Sequence, residues 1–199
     1  MSRYEVIQAT RAEESLVAYL MTLAFGSDPV ARWVWPDPKV YTREFPEFTR
    51  LYGGKAFDHG GTHADMDRRS AAMWLPPEVH PDDEALTACI ERTVPQDHRN
   101  AVFDFFERMG SRHPGEPHWF LPLIGVDPLY QGQGRGSALL SHALSICDRE
   151  QQLAYLDSSN PKNVPLYQRH GFKLVGEVRV GQGPTSYAML RRPHKVERK

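Results

Sequence analysis

One segment limits the fold more than any other: the run IGVDPLYQGQGRGSALLSHAL at residues 124–144. Gly132, Gly134 and Gly136 fall within five residues, between a strand-like apolar run and a helix-like run. Glycine takes positive φ without strain and lets a ligand approach the backbone. The first N–H groups of a helix have no intrahelical partner and lie at the positive end of its dipole. The segment therefore predicts a strand–turn–helix unit that binds a phosphate-like anion.

Two familiar phosphate loops do not fit this segment. A Walker A loop ends in Gly-Lys-Ser/Thr, whereas Gly136 is followed by Ser137 and Ala138. A dinucleotide fingerprint counted from Gly132 needs glycine at position 137, and one counted from Gly134 needs glycine at position 139, which is Leu139. The pattern Gln/Arg-x-x-Gly-x-Gly/Ala is satisfied by Gln131, Gly134 and Gly136.

Hydrophobic periodicity predicts a mixed α/β domain built on one sheet. Strands are expected at residues 4–9, 62–67, 69–76, 117–128, 153–158, 172–180 and 186–192, and helices after the N-cap Thr10 and at residues 43–57, 82–94, 96–110, 133–150 and 163–170. The first helix is expected to bury Leu16, Leu20, Leu23 and Ala24. Glycine and proline predict a break over residues 26–38.

Composition excludes several functional classes. The 199 residues suffice for one domain, and a formal net charge of −1 gives no bulk attraction to nucleic acid or to an acidic membrane. No apolar run approaches the roughly 20 residues of a membrane span, and no leader-like apolar stretch follows Met1. Cys89 and Cys147 form neither a metal motif nor a disulfide framework. These features predict a cytoplasmic protein.

Two motifs resemble those of the GNAT superfamily of N-acetyltransferases. GVDPLYQGQGRG, residues 125–136, is similar to its coenzyme A loop, and NVPLYQRHGF, residues 163–172, is similar to its later signature Asn-x-x-x-Tyr-x-x-x-Gly-Phe. The resemblance covers residues 4–192 and implies a single acyl-CoA N-acyltransferase domain over 1–192 and a charged tail over 193–199. It implies a central mixed, mostly antiparallel sheet flanked by helices. DPVARWVWPD, AAMWLPP and HWFLPLIGVDP loosely resemble the puromycin N-acetyltransferase branch.

The resemblance also implies a site for acetyl-CoA as co-substrate. The loop would hold the pyrophosphate through its backbone, with a hydroxyl donor from Ser137. The main chain of the preceding strand would pair with the pantetheine arm, and an N–H there would polarise the thioester carbonyl. The residues expected at this site are Ile124, Val126, Gln131, Gly132, Gly134, Arg135, Gly136, Ser137, Asn163 and Tyr167.

Tyr167 is the first candidate for a catalytic role, because coenzyme A must leave as a thiol. A phenol with a pKa near ~10 stays protonated until it is needed by the departing thiolate. The alternative is an aromatic anchor for a short helix. Asn163 lies four residues earlier on the same helical face, where it either binds the pantetheine amide or caps the helix.

The general base is harder to assign from sequence. His118 begins the central strand and has an ordinary pKa near ~6.5. By alternation it would share a face with Phe120 and Pro122. Glu116, Asp157 and a water relay are alternatives, and a purely structural histidine is another.

The acceptor pocket is expected to contain Trp33, Trp35, Trp74 and Asp157. An aromatic lining suits an apolar or aromatic amine, or a cation held over a ring. Ordinary core packing explains the tryptophans as well.

Two other chemistries are disfavoured. His59, His63, Asp65 and Asp67 suggest a metal site, but alternation with Ala64 and Met66 also describes a strand with one wet side, and amide formation needs no metal; none is expected. Ser141-His142 lies mid-helix without a nucleophile elbow, which disfavours serine hydrolase chemistry.

The resulting hypothesis is direct transfer of an acetyl group to a primary amine of a small molecule, in a ternary complex. Neither cysteine lies in a motif, which disfavours a covalent thioester intermediate. The alternatives are a non-catalytic acyl-CoA-binding domain and a protein lysine or N-terminal acetyltransferase. A homodimer is possible; nucleic acid and membrane are not expected as partners.

Overall fold

A computed structural model describes residues 4–194, which form seven strands in one sheet and seven α-helices. The strands are β1 (Val6–Gln8), β2 (Thr62–Asp65), β3 (Ser70–Leu75), β4 (His118–Val126), β5 (Leu153–Ser158), β6 (Lys173–Val178) and β7 (Ser186–Arg191). The helices are α1 (Glu14–Ala24), α2 (Pro29–Val34), α3 (Pro38–Gly53), α4 (Asp83–Thr93), α5 (Gln96–Gly110), α6 (Arg135–Glu150) and α7 (Val164–Arg169).

The sheet is mixed and mostly antiparallel, as the sequence predicted. Its order is β1-β2-β3-β4-β5-β7-β6, and β4–β5 is the parallel pair. β7 inserts between β5 and β6, so that β6 forms an edge. All seven strands predicted from the sequence are present, which confirms a single mixed α/β sheet flanked by helices.

The parallel pair β4–β5 separates halfway along. Its pairing runs from His118 with Leu153 to Leu121 with Leu156 and goes no further. Pro122 follows at once and has no N–H to donate to a neighbouring strand. Opposite β3, β4 also contains one extra residue between Phe120 and Leu123, which is a β-bulge. The β5-facing edge of residues 122–126 therefore borders a cleft.

The bulge also breaks the alternation expected along β4. Phe120 and Leu123 pack in one core with α1–α5, whereas Trp119 and Leu121 pack in the other with α6 and α7. His118 and Phe120 both contact Tyr155, as their expected common face requires, and Leu123 is the next residue of β4 in the Phe120 core.

The buried stripe of α1 differs from the expected one. Leu20 is buried, but Leu16 and Leu23 are 46% and 41% exposed. Val17 and Met21 take the buried positions, because α1 packs against both α3 and β4 along that side. The predicted capping box at the start of the helix is present, with the Thr10 N–H donating to the Glu13 carboxylate at 2.9 Å.

The predicted break over residues 26–38 contains the short helix α2. Asp28 caps it by accepting from the N–H groups of Val30 and Ala31, both at 3.0 Å, and Pro29 is its first residue. Pro38 likewise begins α3 after the N-cap Asp37. Proline fits the first helical turn, so these prolines start helices and do not break them.

The start of the predicted tail is anchored. The His194 N–H donates to Asp148 at 2.8 Å, and Gln151 donates to the His194 carbonyl oxygen at 2.8 Å. The rest of the predicted tail, residues 195–199, lies outside the described residues. Within residues 4–194, no helix is long and apolar enough to cross a membrane.

Candidate active site

The glycine-rich turn has the geometry of an anion loop. Gly132 and Gly134 have φ of 73° and 89°, which other residues adopt only with strain. A Cβ at Gly136 would contact Leu166 and Val126 at an ordinary 3.7 Å, so that internal packing tolerates a side chain there. The helix begins at Arg135, and its first intrahelical bond joins the Ala138 N–H to the Gly134 carbonyl. The backbone N–H groups of Arg135, Gly136 and Ser137 come before that bond, so they have no intrahelical partner, and they lie at the positive end of the helix dipole.

The Arg135 side chain is engaged outside the loop. Its guanidinium is buried, pairs with Asp65 and, at 3.0 Å, with Asp67, and stacks on Tyr4 and Tyr130. The backbone N–H of Arg135 is what remains for an anion. The ion pair ties the start of α6 to the β2–β3 hairpin and so holds the loop in place.

Asp65 and Asp67 therefore bind a guanidinium where the sequence also allowed a metal. His63 is buried against His142, with ring centroids 4.6 Å apart, and its burial lowers its pKa to about 4. Within the described part of the chain, no group of three or more His, Cys, Asp or Glu side chains is arranged to hold a metal ion.

A groove of about 650 Å³ extends from the glycine-rich turn along β4. Ile124 and Val126 line it from the strand and Asn163 and Tyr167 from the α7 side. The sequence analysis missed two exposed cations in its wall, Lys162 and Arg169. The groove thus combines unpaired backbone amides, a strand edge and positive charge, which suits a long polyanionic ligand such as acetyl-CoA.

Two loop side chains are already engaged. Ser137 Oγ lies 2.8 Å from the Nε2 of His170, whose pKa is lowered mainly by burial. Gln131 donates from Nε2 to the Val126 carbonyl at 3.2 Å. Their predicted contribution to cofactor binding thus falls mainly on their backbone groups.

A smaller cavity of about 80 Å³ lies where β4 and β5 part. It shares Phe25, Asp28, Ile124, Asn163 and Tyr167 with the groove. At its other end it shares Phe48, Tyr52, Phe106, Met109 and Asp157 with a third cavity, the vestibule, of about 620 Å³. We call the small cavity the central cavity. The three spaces follow one another through the sheet, and Tyr167 and Asp157 lie at the two junctions.

Tyr167 is 5% exposed and lines both the groove and the central cavity. Burial, with a contribution from the Asp28 carboxylate, raises the pKa of its phenol well above the ordinary value. The hydroxyl therefore stays protonated at neutral pH. A thiolate that leaves into the same apolar space becomes more basic for the same reason, and so becomes a better acceptor of that proton.

Asn163 does not cap α7, so the capping alternative is wrong. Its side chain makes no cap bond, and Asn160 instead accepts from the Lys162 N–H at 3.0 Å. Asn163 lines both the groove and the central cavity, and its predicted contact with the pantetheine stays open.

Asp28 is a wall residue that the sequence analysis missed. Besides capping α2, its carboxylate accepts from Ser159 Oγ at 2.6 Å, which joins α2 to the end of β5. Burial raises its pKa. The signal was present in sequence as Ser-Asp-Pro, an N-cap pattern before a helix-starting proline.

Asp157 is the most perturbed acid of the site. Its side chain is 2% exposed, and burial raises its pKa to about 7. Tyr155 donates to Oδ1 at 3.2 Å, whereas Oδ2 accepts no hydrogen bond from any described residue. A buried carboxylate that titrates near neutrality, with one open oxygen in a cavity, has the properties of a general base.

His118 lies on the vestibule wall, outside the central cavity. Its Nδ1 is 2.8 Å from the Glu116 carbonyl and its Nε2 is 3.1 Å from the Nδ1 of His113. Both ring nitrogens are therefore occupied, and the prediction that His118 is the base does not fit this geometry. The sequence analysis did not identify His113.

The three tryptophans have separate positions. Trp35 lines the central cavity and donates from Nε1 to Thr93 at 2.9 Å. Trp33 packs against His98 and Phe105. Trp74 is fully buried in the core beneath α6, on the opposite face of the sheet, so its expected place in the acceptor pocket is wrong.

A model of the acetyltransferase (GNAT) family matches residues 38–172, and the chain belongs to that family. A 54-residue segment is 39% identical to an uncharacterized N-acetyltransferase of Schizosaccharomyces pombe, over 27% of this chain and 22% of that relative. The chain therefore spans about a fifth of the curated relative that it matches.

Solved structures show the same fold. A Corynebacterium glutamicum protein described as histone acetyltransferase HPA2 and related acetyltransferase has a TM-score of 0.71 and 23% identity, over 100% of both chains. A Drosophila melanogaster polyamine N-acetyltransferase that forms N-acetylagmatine has a TM-score of 0.66 and 16% identity, over 95% of this chain and 99% of that one. At these identities the likeness concerns the fold alone.

Proposed function

We propose that this acetyltransferase transfers the acetyl group of acetyl-CoA to a primary amine of a small molecule, in one ternary complex. The observation that carries the proposal is the row of three connected cavities. A groove suited to coenzyme A and a separate vestibule meet in the central cavity, with an acid and a base at the two junctions.

The proposed chemistry uses Asp157 and Tyr167. An amine arrives as the ammonium and loses one proton to solvent before its nitrogen attacks the thioester carbon. As the N–C bond forms and the C–S bond breaks, Asp157 takes the second proton from nitrogen, and Tyr167 gives its hydroxyl proton to sulfur. Solvent then returns a proton to Tyr167 and removes one from Asp157, which balances amide and thiol against amine and thioester. Cys89 and Cys147 are both buried, and neither lines the groove, the central cavity or the vestibule, which supports direct transfer.

The shape of the acceptor end supports a small amine. The central cavity is walled by aromatic side chains from α3 and α5, Phe45, Phe48, Tyr52 and Phe106. Among the described residues, no lysine or arginine lines the vestibule, whereas Asp83, Glu107 and Asp157 do. An aromatic and acidic space favours a compact cation. The Drosophila neighbour that forms N-acetylagmatine is consistent with this class.

Two alternatives are weaker. Acetylation of a histone, the activity named for the Corynebacterium neighbour, needs a surface that binds a polypeptide, whereas here the acceptor end is a concave space lined from α3, α4 and α5. A non-catalytic acyl-CoA-binding domain gives no reason for a buried carboxylate that is left half-unpaired between the central cavity and the vestibule, an arrangement that costs stability. A cytoplasmic location stays a prediction from the sequence.

The first test is a thermal-shift titration with acetyl-CoA, with NADH and ATP as controls. A ligand that binds only the folded state stabilises it by about 2.7 kcal/mol at a hundredfold excess over Kd. We expect a rise in Tm with acetyl-CoA and no comparable rise with NADH or ATP. No rise in Tm with acetyl-CoA would contradict both the assignment of the groove to coenzyme A and the proposed activity.

A further inference from the structure

A hydrogen-bond chain on the vestibule wall fixes the protons of two histidines. The Glu116 carbonyl oxygen can only accept, so the His118 Nδ1, 2.8 Å away, carries a proton. In neutral His118 the other nitrogen, Nε2, is bare and accepts from the His113 Nδ1–H at 3.1 Å. Burial, together with His118 and His80, lowers the pKa of His113 to about 4 and keeps it neutral. The His113 Nε2 is then an acceptor.

A second acceptor faces this nitrogen. Asp157 Oδ2 lies 4.0 Å from the His113 Nε2 and accepts no hydrogen bond from a described residue. Neither atom carries a proton when Asp157 is ionised. For an amine nitrogen about 2.9 Å from each acceptor, the acceptor–nitrogen–acceptor angle is about 90°. Two N–H bonds of one amine can satisfy this angle.

We propose that His113 Nε2 and Asp157 Oδ2 form a two-acceptor cradle for the acceptor nitrogen and select a primary amine. The inference rests on the proposed function and deepens it. A neutral primary amine has two N–H bonds and one lone pair. When both N–H bonds point into the cradle, the lone pair points away from it and is free to attack the thioester carbon.

The cradle distinguishes primary from secondary amines by the number of N–H bonds on the nitrogen. A neutral secondary amine has one N–H, so it leaves one buried acceptor unpaired. An unpaired buried acceptor costs enough to weaken binding of the transition state about 10- to 100-fold. His118 acts through His113 and is a positioning residue, because it fixes the tautomer without contacting the amine.

The experiment compares kcat/KM for benzylamine, N-methylbenzylamine and α-methylbenzylamine. The last two are isomers of equal size, but only the α-methyl compound keeps two N–H bonds. The wild-type enzyme is expected to prefer α-methylbenzylamine over N-methylbenzylamine by about 10- to 100-fold. In His113→Phe, which keeps an aromatic ring against Phe120 and Tyr155, that ratio is expected to fall to within about threefold.

Three further variants separate the role of the cradle from mere structure. His113→Gln keeps an acceptor oxygen and is expected to recover part of the preference. His118→Phe is expected to lower it, because the tautomer of His113 is no longer fixed. His98→Phe changes a half-buried histidine of α5 that bonds the Trp33 carbonyl, and is expected to keep the wild-type ratio. Because each readout is a ratio within one preparation, partial unfolding does not alter it.

The outcomes are distinct. Equal rates for the two isomers in the wild type, or an unchanged ratio in His113→Phe, would overturn the cradle while leaving the acetyltransferase activity in place. No acetylation of any amine, including aliphatic amines and diamines, would overturn the proposed function and the cradle together.

Discussion

The two ends of the cavity row are built differently. The coenzyme end comes mostly from two short stretches, residues 124–137 and 160–169, and residues 24–28 complete its wall. The acceptor end takes Phe48 from α3, His113 from beyond α5 and Asp157 from β5. Most of one end is therefore two local motifs, whereas the other exists only after the chain has folded.

The difference fits the ligand that is proposed for each end. A pyrophosphate needs backbone N–H groups and conformational freedom, which glycines at fixed offsets supply locally. An amine acceptor needs shape and a tuned carboxylate, and both depend on which distant side chains exclude water from one place. Variants can therefore break the two ends separately.

The largest effect is expected from Asp157→Asn at the acceptor end. Loss of the base should lower kcat/KM for the amine by about 10²- to 10⁴-fold. The Kd for acetyl-CoA should stay unchanged, because Asp157 lies at the junction away from the groove. Steady-state kinetics and a binding titration measure the two quantities. Asp104→Asn, which removes an exposed partner of Arg108, is the matched control and should be silent. A weaker coenzyme affinity in Asp157→Asn would contradict the separation.

The pH dependence should also follow Asp157. Its pKa of about 7 means that the base is lost as pH falls, so kcat/KM should drop about tenfold per pH unit below that value and level off above it. An amine of low basicity keeps substrate ionisation out of this window. A profile flat between about pH 5 and pH 8, an interval that lies above the ordinary aspartate pKa and includes the raised one, would exclude Asp157 as the base.

The same carboxyl affects stability with a defined sign. Its pKa is raised from about 3.9 in the unfolded chain, so the folded state binds more protons between that value and about 7. This contribution to the free energy of unfolding therefore falls as pH rises through the window. Urea denaturation of the wild type and Asp157→Asn should diverge in that interval, with the variant the more stable at pH 7. Parallel curves would show that Asp157 has an ordinary pKa.

Tyr167→Phe tests the junction with the coenzyme groove. Removal of the hydroxyl should lower kcat about 10- to 100-fold with little change in KM for acetyl-CoA, because the proton is needed only as the thiol leaves. Tyr41→Phe is the control: its hydroxyl is buried and donates to the Thr22 carbonyl at 2.8 Å, so its loss should affect stability and not turnover. An unchanged kcat in Tyr167→Phe would leave that residue as an aromatic anchor.

The smallest effect is expected from Gly136→Ala at the coenzyme end. The added methyl meets its neighbours at 3.7 Å and should raise the free energy of unfolding by about 0.5–1 kcal/mol through helix propensity. The Kd for acetyl-CoA should change by less than about threefold, because the loop pattern Gln/Arg-x-x-Gly-x-Gly/Ala accepts alanine at this position and the ligand is proposed to bind the backbone. Thermal unfolding and a binding titration measure the two quantities. A large loss of affinity would contradict the match of this loop to the coenzyme pattern.

The sequence predicts the coenzyme end better than the acceptor end. It predicted the sheet, the family and the loop, since Gly132 and Gly134 are needed for their φ values wherever such a turn occurs. It misplaced Trp74, because packing beneath α6 decides where that side chain points. It placed His118 on the observed face but gave no sign of the hydrogen bonds at both of its ring nitrogens. It named Asp157 as a pocket residue and as an alternative base, but not as the leading base, since nothing local reveals that an aspartate will be desolvated. It missed His113, whose role depends on two hydrogen bonds and one distant carboxylate.

The most direct test incubates the enzyme with acetyl-CoA and a panel of small amines. Mass spectrometry identifies any acetylated amine, and a thiol assay measures the released coenzyme. The account predicts acetylated primary amine in a one-to-one ratio with released thiol for the wild type. It predicts that Asp157→Asn binds acetyl-CoA normally and forms almost no acetylated amine. Tight binding of acetyl-CoA without acetylation of any amine by the wild type would contradict it, and would leave a coenzyme-binding domain without this chemistry.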